Sequence, residues 1–388
     1  MSEALAKQEI LFNVPAVEGN ELAYVQQAIT SGHTASGGEF GERAAALLSE
    51  VTTAGEVLLT TSCTSALELS AMLLDLGPSD TVIVPSFTFT TTALAFVRQG
   101  ARLLFCDIDP DTLGLDPQHL ASLLDDSVRA VVVVHYAGVA CDLDGIRSVL
   151  GDRPDIALVE DNAHGLFGSY RGTPLGSFGR HGTLSFHETK NIVCGEGGAL
   201  LLNDPEDVDR ARVLYEKGTN RRAFLLGQVD KYSWQDTGSS FALSEVLAAY
   251  LLGQLEQWPT VQAKRRAVYE AYEERLALLQ ASLDFRVAPR LPDRELAYHL
   301  FYVLLPNKEQ RDAVLGRLRR AGVQATFHYV PLHSSPAGRR FAARAVDCPV
   351  TTDVAGRRLR LPFHNNLGED EVEQVVATLE DALATTSR

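Results

Sequence analysis

Short apolar runs recur through the first 240 residues, and each is followed by polar or glycine-rich residues. The runs are apolar on both faces of an extended chain, which is typical of strands in a parallel sheet covered by helices. The predicted strands are Val57–Thr60, Thr81–Val84, Arg102–Cys106, Ala130–His135, Ile156–Glu160, Gly182–Phe186 and Ala199–Leu202. Helical patterns between them cover Ser65–Leu76, Thr91–Gln99, Pro117–Leu124 and Pro205–Glu216. This alternation predicts a doubly wound α/β unit, in which ligands bind at the carboxyl ends of the strands.

The pattern changes after Leu243. A long helical stretch runs to Trp258–Pro259, where the proline should kink or restart it, and continues to about Leu279. The later segments that suggest a small α+β unit are Leu300–Leu305, Lys308–Ala321, Val323–Thr326 and Glu369–Leu383, with a linker at Pro289–Pro292. We therefore predict a large, mostly parallel-sheet α/β domain over residues 1–250. A connecting helix and a smaller C-terminal α+β domain should cover residues 251–388.

Composition narrows the possible partners. The 388 residues are 45% hydrophobic and 22% charged, which suits a globular protein with a large core. A net charge of −15 repels nucleic-acid backbones, although a local site can still bind a small anion. The five cysteines include no C-x-x-C pair, and the N-terminus has acidic residues and no signal-peptide pattern. We expect a cytoplasmic protein with no nucleic-acid or membrane partner.

Lys190 stands apart from the other lysines of the chain. Of the six lysines, Lys190 is the one that follows an apolar strand and precedes a glycine-rich turn, Gly195–Gly198. A lysine just past a strand end, beside backbone that a ligand can approach closely, suits a Schiff-base nucleophile. A solvated surface lysine is the alternative when this residue is considered alone.

Two further motifs lie at predicted strand ends. Asp161 ends the strand in ALVEDNAHG, and it could pair with a cationic ring nitrogen or cap the next helix. The cluster Ser62–Ser65 opens a predicted helix, where backbone N–H groups and hydroxyls can bind an anion or act as plain caps. The chain has no Walker or G-x-G-x-x-G motif, which disfavours nucleotide hydrolysis and Rossmann dehydrogenation.

Together these motifs place a phosphate cradle, a ring-nitrogen carboxylate and a Schiff-base lysine at three strand ends, which is the layout of fold-type I pyridoxal-phosphate enzymes. The chain resembles the DegT/DnrJ/EryC1/StrS family of sugar aminotransferases over nearly its whole length. The matching motifs are PSFTF (85–89), FCDIDPDT (105–112), HYAG (135–138), VED (159–161), SFHETKN (185–191), GEGG (195–198) and HYVPLH (328–333). Stretches similar to the branch that aminates C4 of dTDP-4-dehydro-6-deoxyglucose are FNVPAVEGNEL, SGHTASGG, HYAGVACDLD, EKGTNR, GQVDKYSW, DTGSS and RLRLPFHNNL.

The resemblance implies an aspartate aminotransferase-like fold and a pyridoxal 5'-phosphate cofactor. In that arrangement Lys190 would form the Schiff base, and Asp161 would pair with the pyridinium nitrogen. Phe89 would lie over the cofactor ring, and His164, where many relatives have glutamine, would reach the ring hydroxyl.

The resemblance also implies how the cofactor phosphate is bound. Ser185 and the backbone amides of Cys63 and Thr64 would hydrogen-bond the phosphate. Many relatives read G-Y-N-Y-R near the loop that faces the partner subunit, where the asparagine reaches the other subunit's phosphate. This chain departs from that pattern over Gly238–Ala242, so the equivalent contact falls to Ser240.

Six further residues are candidates for substrate binding. In KGTNRR, Lys217, Asn220 and Arg221 would hold the anionic sugar nucleotide or the partner's phosphate, with a plain basic helix end as the alternative. The other candidates are His328, Tyr329 and His333. The two histidines are five residues apart across a proline, so helical metal-ligand spacing fails and no metal is expected. They would line the sugar pocket or pack locally.

The implied reaction is transamination at C4 of a nucleotide-linked 4-keto-6-deoxyhexose, with dTDP-4-dehydro-6-deoxy-D-glucose as the expected substrate. Glutamate is the expected amino donor, the product would be a dTDP-4-amino-4,6-dideoxyhexose, and a homodimer would share its active sites. The alternatives are a C3 or UDP-sugar aminotransferase of the same family, and a non-catalytic sugar-nucleotide-binding relative. A sugar dehydratase of this fold is disfavoured, because that branch has histidine in place of Lys190.

Overall fold

A computed structural model describes residues 9–151 and 153–386. The strands are β1 Glu56–Thr60, β2 Thr81–Pro85, β3 Arg102–Cys106, β4 Val128–Val134, β5 Ala157–Asp161, β6 Ser169–Tyr170, β7 Thr173–Pro174, β8 His181–Ser185, β9 Gly198–Leu202, β10 Arg286–Val287, β11 Arg294–Glu295, β12 Tyr302–Leu304 and β13 Arg358–Arg360. The helices are α1 Glu21–Thr30, α2 Glu39–Thr52, α3 Cys63–Leu73, α4 Thr90–Arg98, α5 Pro117–Leu123, α6 Leu143–Leu150, α7 Val208–Tyr215, α8 Arg221–Leu225, α9 Glu245–Leu255, α10 Trp258–Leu279, α11 Lys308–Arg320, α12 Pro336–Phe341, α13 Pro349–Arg357 and α14 Glu369–Thr386.

The main sheet has the strand order β1-β9-β8-β5-β4-β2-β3. Strands β8, β5, β4, β2 and β3 run parallel, and β9 is antiparallel to both β8 and β1. The sequence predicted a strand at each of these seven positions, and Arg102–Cys106 has the predicted bounds. Strand β4 shows why these strands could be predicted. Its valines from Val131 to Val134 are buried between helical layers, so neither face of the strand carries polar side chains there. The predicted α/β architecture with a large, mostly parallel sheet is thus confirmed.

The sheet brings three strand ends to the same edge. Gly198 of β9 lies between Thr60, which ends β1, and Ser185, which ends β8. Strand β5 runs parallel to β8 and ends at Asp161, which is paired with Thr183. Two of the predicted motifs and the start of α3 therefore meet at one edge, as the carboxyl-end rule for parallel strands requires.

The C-terminal half begins with two consecutive helices. Helix α9 ends at Leu255, and α10 restarts at Trp258 with Pro259 in its first turn, as predicted from the proline. Helices α11 and α14 pack together beside a small sheet with the strand order β10-β12-β13. The predicted segment Val323–Thr326 forms isolated bridges, with Ile10 and with Arg360, and no regular strand.

The chain start packs against this C-terminal half. Ile10 is 2% exposed, donates its amide to the Gly322 carbonyl and accepts the Gln324 amide. The division of the chain at residue 250 stays a prediction. Over residues 9–151 and 153–386, no helix combines the length and the apolar character that crossing a membrane requires.

Candidate active site

A cavity of about 1010 Å³ opens at the edge of the main sheet where the three strands end. Its walls come from the chain start, from the loops that follow β1, β2, β5 and β8, and from the C-terminal half. The sequence-predicted residues that line it are Cys63, Thr64, Phe89, Asp161, His164, Ser185, Lys190, His328 and Tyr329. Nine predicted site residues, spread over 267 positions of the sequence, thus meet around one volume.

The start of helix α3 forms an anion-binding corner of the cavity. The Ser62 side chain caps the helix by accepting the Ser65 amide at 3.1 Å. The sequence predicted a helix from Ser65, but the helix begins at Cys63, which places the Cys63 and Thr64 amides in its first turn. Amides of a first turn have no acceptor within the helix, and they attract anions. Gly198 leaves room for this corner, because a Cβ there would lie 2.4 Å from the Cys63 nitrogen.

Asp161 presents a buried carboxylate from the end of β5. It is 5% exposed and accepts hydrogen bonds from Thr92 Oγ1 at 2.6 Å and from the Ala163 amide at 3.2 Å. The alternative of a helix cap fails, because residues 163–167 form turns and no helix. A carboxylate held this way can bind a cationic ring nitrogen from the cavity.

Lys190 lies in a turn five residues past the end of β8. Its amide donates to the His187 carbonyl at 2.9 Å, and its side chain is half-buried against the cavity. Burial lowers the pKa of the Lys190 amine to about 8, and the charge of Arg360 lowers it further while Asp161 opposes the shift. Such an amine is roughly one quarter unprotonated at pH 7.5, against roughly one thousandth for an ordinary lysine.

Two histidines stack in the wall beside these residues. The rings of His164 and His299 are 4.1 Å apart, and His299 Nδ1 is 2.9 Å from Asn191 Oδ1. Burial lowers the pKa of both imidazoles well below the usual range, so both are neutral at physiological pH. Among the described residues, the buried Nδ1 of His164 has no hydrogen-bond partner. It is available to a ligand hydroxyl.

The C-terminal wall holds His328, Tyr329 and Arg360. The rings of His328 and Tyr329 stack with their centres 4.3 Å apart, and the centre of the Phe89 ring lies 6.4 Å from that of Tyr329. Sequence reasoning missed Arg360 and His299. Arg360 lies within the motif RLRLPFHNNL, but the motif gave no reason to choose it over its neighbours.

Five predicted residues do not line this cavity. Lys217, Arg221 and Ser240 are exposed, and the half-buried Asn220 uses its Oδ1 to accept the Ser233 amide at 2.8 Å. Ser240 was predicted to reach the partner's phosphate, and the other three residues the sugar nucleotide or the partner's phosphate. These roles stay predictions. His333 also lies outside the lining, and its Nδ1 is 2.6 Å from Ser86 Oγ, a contact that fits the alternative of local packing; its role in substrate binding stays a prediction.

The corner, the carboxylate and the amine fit pyridoxal phosphate. The α3 start suits its phosphate, Asp161 suits its pyridinium nitrogen, and the unpaired His164 Nδ1 suits its ring hydroxyl. Lys190 offers the amine that its aldehyde requires. The fold and this site define a fold-type I pyridoxal-phosphate-dependent transferase.

Comparison with known proteins makes the class more specific. The model of the DegT/DnrJ/EryC1/StrS aminotransferase family matches residues 15–380, and the chain belongs to this family of pyridoxal-phosphate-dependent sugar aminotransferases. It is 32% identical over 335 residues to a dTDP-4-dehydro-2,3,6-trideoxy-D-glucose 4-aminotransferase of Saccharopolyspora spinosa, covering 84% of each chain. It is 28% identical to the spore coat polysaccharide biosynthesis protein SpsC of Bacillus subtilis, covering 95% of this chain and 96% of that protein. The crystal structure of the aminotransferase TlmJ from Streptoalloteichus hindustanus superposes with a TM-score of 0.89 at 32% identity, covering 98% of this chain and 100% of the other.

Proposed function

We propose that this sugar aminotransferase aminates C4 of a nucleotide-linked 4-keto-6-deoxyhexose, with dTDP-4-dehydro-6-deoxy-D-glucose as substrate and glutamate as amino donor. The observation that carries the reaction type is the meeting of Lys190, Asp161 and the α3 start around one cavity. The position of amination rests on the 32% identity to a 4-aminotransferase and on the shared motifs. The product is then a dTDP-4-amino-4,6-dideoxyhexose.

The chain's own residues divide the work of binding. The Cys63 and Thr64 amides and the Ser185 side chain bind the cofactor phosphate, and Asp161 holds the ring nitrogen in its protonated form. Phe89 covers the ring face, and His164 accepts or donates at the ring hydroxyl. When bound, the cofactor supplies an aldehyde that exchanges amines and a ring that withdraws electrons from the reacting carbon.

Lys190 supplies the acid–base chemistry. With a pKa of about 8, its amine is available as a nucleophile near neutral pH. With the cofactor bound, the Lys190 Nζ would stay in the cavity beside the reacting carbon. Its neutral amine could take the proton from the donor's α-carbon and later give it back, so Lys190 is the proposed general base.

The cavity is large enough for an extended substrate. Its volume of about 1010 Å³ is at the upper end for small-molecule sites, which leaves space for a sugar beside the cofactor. The net charge of −15 does not prevent binding of an anionic nucleotide, because Arg319 and Arg360 both line the cavity.

Product analysis tests the proposal. The purified enzyme, glutamate and either dTDP- or UDP-linked 4-ketosugar are combined, the nucleotide product is identified by mass, and its amine position and configuration are assigned by NMR. We expect the dTDP sugar to be aminated at C4. Amination at C3, or a preference for the UDP sugar, would select the alternative members of the family. Bound cofactor without turnover of either sugar would select a binding protein.

We further propose a homodimer whose subunits complete each other's sites. An exposed apolar patch covers residues 224–234, where Trp234 is 81% exposed and Leu225 is 64% exposed. Several exposed large apolar side chains on one segment are typical of an interface. The patch is contiguous in sequence with Lys217, Asn220 and Arg221, which do not reach the cavity of their own chain. Across a two-fold axis they would reach the partner's cavity.

A further inference from the structure

Asn191, the residue after Lys190, is a buried carboxamide whose side-chain hydrogen bonds lead to the C-terminal half of the chain. It is 6% exposed. Its Nδ2 donates to the Ala297 carbonyl at 2.5 Å and lies 3.4 Å from Gln262 Oε1, and its Oδ1 lies 2.9 Å from His299 Nδ1. One side chain thus joins the lysine turn to helix α10 and to the segment that precedes strand β12.

These contacts fix which ring nitrogen of His299 carries the proton. A carbonyl oxygen can only accept, so the Ala297 carbonyl identifies the nitrogen of the Asn191 carboxamide and leaves Oδ1 facing the histidine. The amide oxygen also only accepts, so His299 donates from Nδ1. Because burial lowers the pKa of His299 well below its usual range, the ring is neutral and Nε2 carries no proton. His299 lines the cavity, and Nε2 is the ring nitrogen left as an acceptor there.

The backbone at His299 is held by a second buried group, Arg265 of helix α10. Arg265 is 2% exposed, and it donates from Nε to the Tyr298 carbonyl at 2.8 Å and from Nη2 to the His299 carbonyl at 2.5 Å. Tyr298 has a φ of +50°, in the left-handed region, which is strained for a residue with a side chain. Strain of this kind persists where surrounding contacts impose it, and it is concentrated at functional sites.

Asn191 connects two groups that face neighbouring atoms of the cofactor. It follows Lys190 directly in the chain, and its partner His299 stacks on His164 with the ring centres 4.1 Å apart. In pyridoxal phosphate the aldehyde, which Lys190 meets, and the ring hydroxyl, which His164 meets, are on adjacent ring carbons. Both side chains must therefore be placed correctly at the same time, because a small error in either position slows the chemistry.

We propose that Asn191 is a positioning residue, which keeps the Lys190 turn and the stacked histidines at a fixed separation and sets the proton of His299 on Nδ1. Asn191 does not line the cavity, so it acts through its neighbours and touches neither cofactor nor substrate. Its two donors hold the segment that carries His299, and its acceptor orients the ring. The proposal rests on the assignment of Lys190 and His164 to the cofactor, and it is independent of which sugar is aminated.

The proton position on His299 gives a readout that needs neither cofactor nor turnover. The full-length apoprotein, labelled with ¹⁵N in its histidines, is studied by NMR near neutral pH, where protonated and unprotonated ring nitrogens have separate shifts. His299→Phe identifies the signals of this residue. We expect the wild type to be protonated at Nδ1. In Asn191→Leu, which has a similar size and no acceptor, the proton should move to Nε2, the position that free histidine prefers. A wild-type His299 protonated at Nε2 would overturn the proposal, whatever the variants do.

Covalent capture of the cofactor measures whether Lys190 is correctly placed. Apoprotein is mixed with pyridoxal phosphate, and the rate constant for the covalent link is followed by absorbance. Asn191→Leu should lower this rate constant at least about 10-fold, because the lysine turn loses its connection to the C-terminal half. Asn203→Leu is the matched control and should stay within about 3-fold of the wild type. Asn203 Nδ2 also donates to backbone carbonyls, those of Gly176 at 2.9 Å and Gly179 at 2.8 Å, but outside the cavity lining.

His299→Phe tests whether Asn191 and His299 act as one unit. Phenylalanine keeps a ring that can stack on His164, but it has no Nδ1 to donate. We expect this variant to lower the capture rate constant about 10-fold, and the double variant with Asn191→Leu to lie within about 3-fold of the slower single variant. Residues that act through one shared contact lose that contact once, so their effects do not multiply.

Two outcomes of the capture experiments would also overturn the proposal. One is an Asn191→Leu protein that captures the cofactor at the wild-type rate. The other is a double variant in which the two single losses multiply, because Asn191 and His299 would then act independently. If the wild type itself captures no cofactor on Lys190, the site assignment fails and the proposal fails with it. Wild-type capture on Lys190 with an unaffected Asn191→Leu would overturn the proposal alone.

Discussion

Gly198 fixes how closely strand β9 approaches the start of helix α3, and its replacement should disturb the phosphate corner. In Gly198→Ala the new Cβ would lie 2.3 Å from the Ser62 carbonyl carbon, 2.4 Å from the Cys63 nitrogen and 2.6 Å from the Ser62 oxygen. All three are backbone atoms, so no side-chain rotation relieves the overlap. Contacts below 3.0 Å essentially do not occur for real Cβ atoms, and restoring ordinary contact requires the helix start and the strand to separate by about 1 Å.

The separation should cost stability and cofactor affinity together. Overpacking of this kind costs about 1–3 kcal/mol of folding free energy. Displaced Cys63 and Thr64 amides should weaken pyridoxal phosphate about 10- to 100-fold, or about 1.4–2.7 kcal/mol. Titration of the apoprotein with cofactor, followed by absorbance, measures the affinity, and thermal unfolding of the apoprotein measures the stability.

The matched control makes the same chemical change where space is available. A Cβ at Gly316, inside helix α11, would have the Arg320 Nη1 as its nearest atom, at 3.7 Å. Because alanine is the better helix former by about 1 kcal/mol, Gly316→Ala should be as stable as the wild type or more so, with unchanged cofactor affinity. A Gly198→Ala protein with wild-type melting temperature and wild-type cofactor affinity would refute the assignment of this corner.

The remaining predictions concern Asp161, Lys190 and the exposed patch. Asp161→Asn should slow the donor half-reaction by about 2–4 kcal/mol of barrier, and near-normal single-turnover rates would remove Asp161 from the site. Covalent capture of the cofactor by the apoprotein should accelerate as pH rises through about 8, because the neutral Lys190 amine is the reactive form. Arg360→Gln removes a positive charge that lowers the pKa of Lys190, so the midpoint of this pH profile should move to higher pH. An unchanged or lower midpoint would contradict the placement of Arg360 near Lys190. Trp234→Ala should weaken self-association at least about tenfold in sedimentation velocity, and a fully active wild-type monomer would contradict the dimer.

The sheet could be predicted because its strands are buried on both faces. Strands β2, β4 and β5 contain the apolar runs 82–85, 130–134 and 157–159, and a polar residue follows each run, so both the run and its end could be predicted. Asp161 and Ser185 could be placed because parallel strands deliver their carboxyl ends to one edge. Helix α3 begins two residues earlier than predicted. Several serines and threonines lie together at its start, and each is a suitable cap, so composition alone did not show that Ser62 is the cap.

The C-terminal wall could not be predicted in the same way. Arg360 ends a three-residue strand whose place depends on pairing with Tyr302 and on contact with Thr326, and both are remote in sequence. Its burial comes from tertiary packing, so the sequence alone does not distinguish it from Arg357 or from exposed arginines. His299 is likewise selected by its stacking on His164 and not by any local pattern.

The most direct test of the central claim is to identify the lysine that binds the cofactor. The holoenzyme is reduced with borohydride, which makes the link between lysine and pyridoxal phosphate permanent, and the labelled peptide is mapped by mass spectrometry. We predict a single label on Lys190, and no label on that peptide in Lys190→Ala, which should still bind the cofactor non-covalently through the α3 corner and Asp161. A label on Lys217, Lys264 or any other lysine of the six would contradict the account.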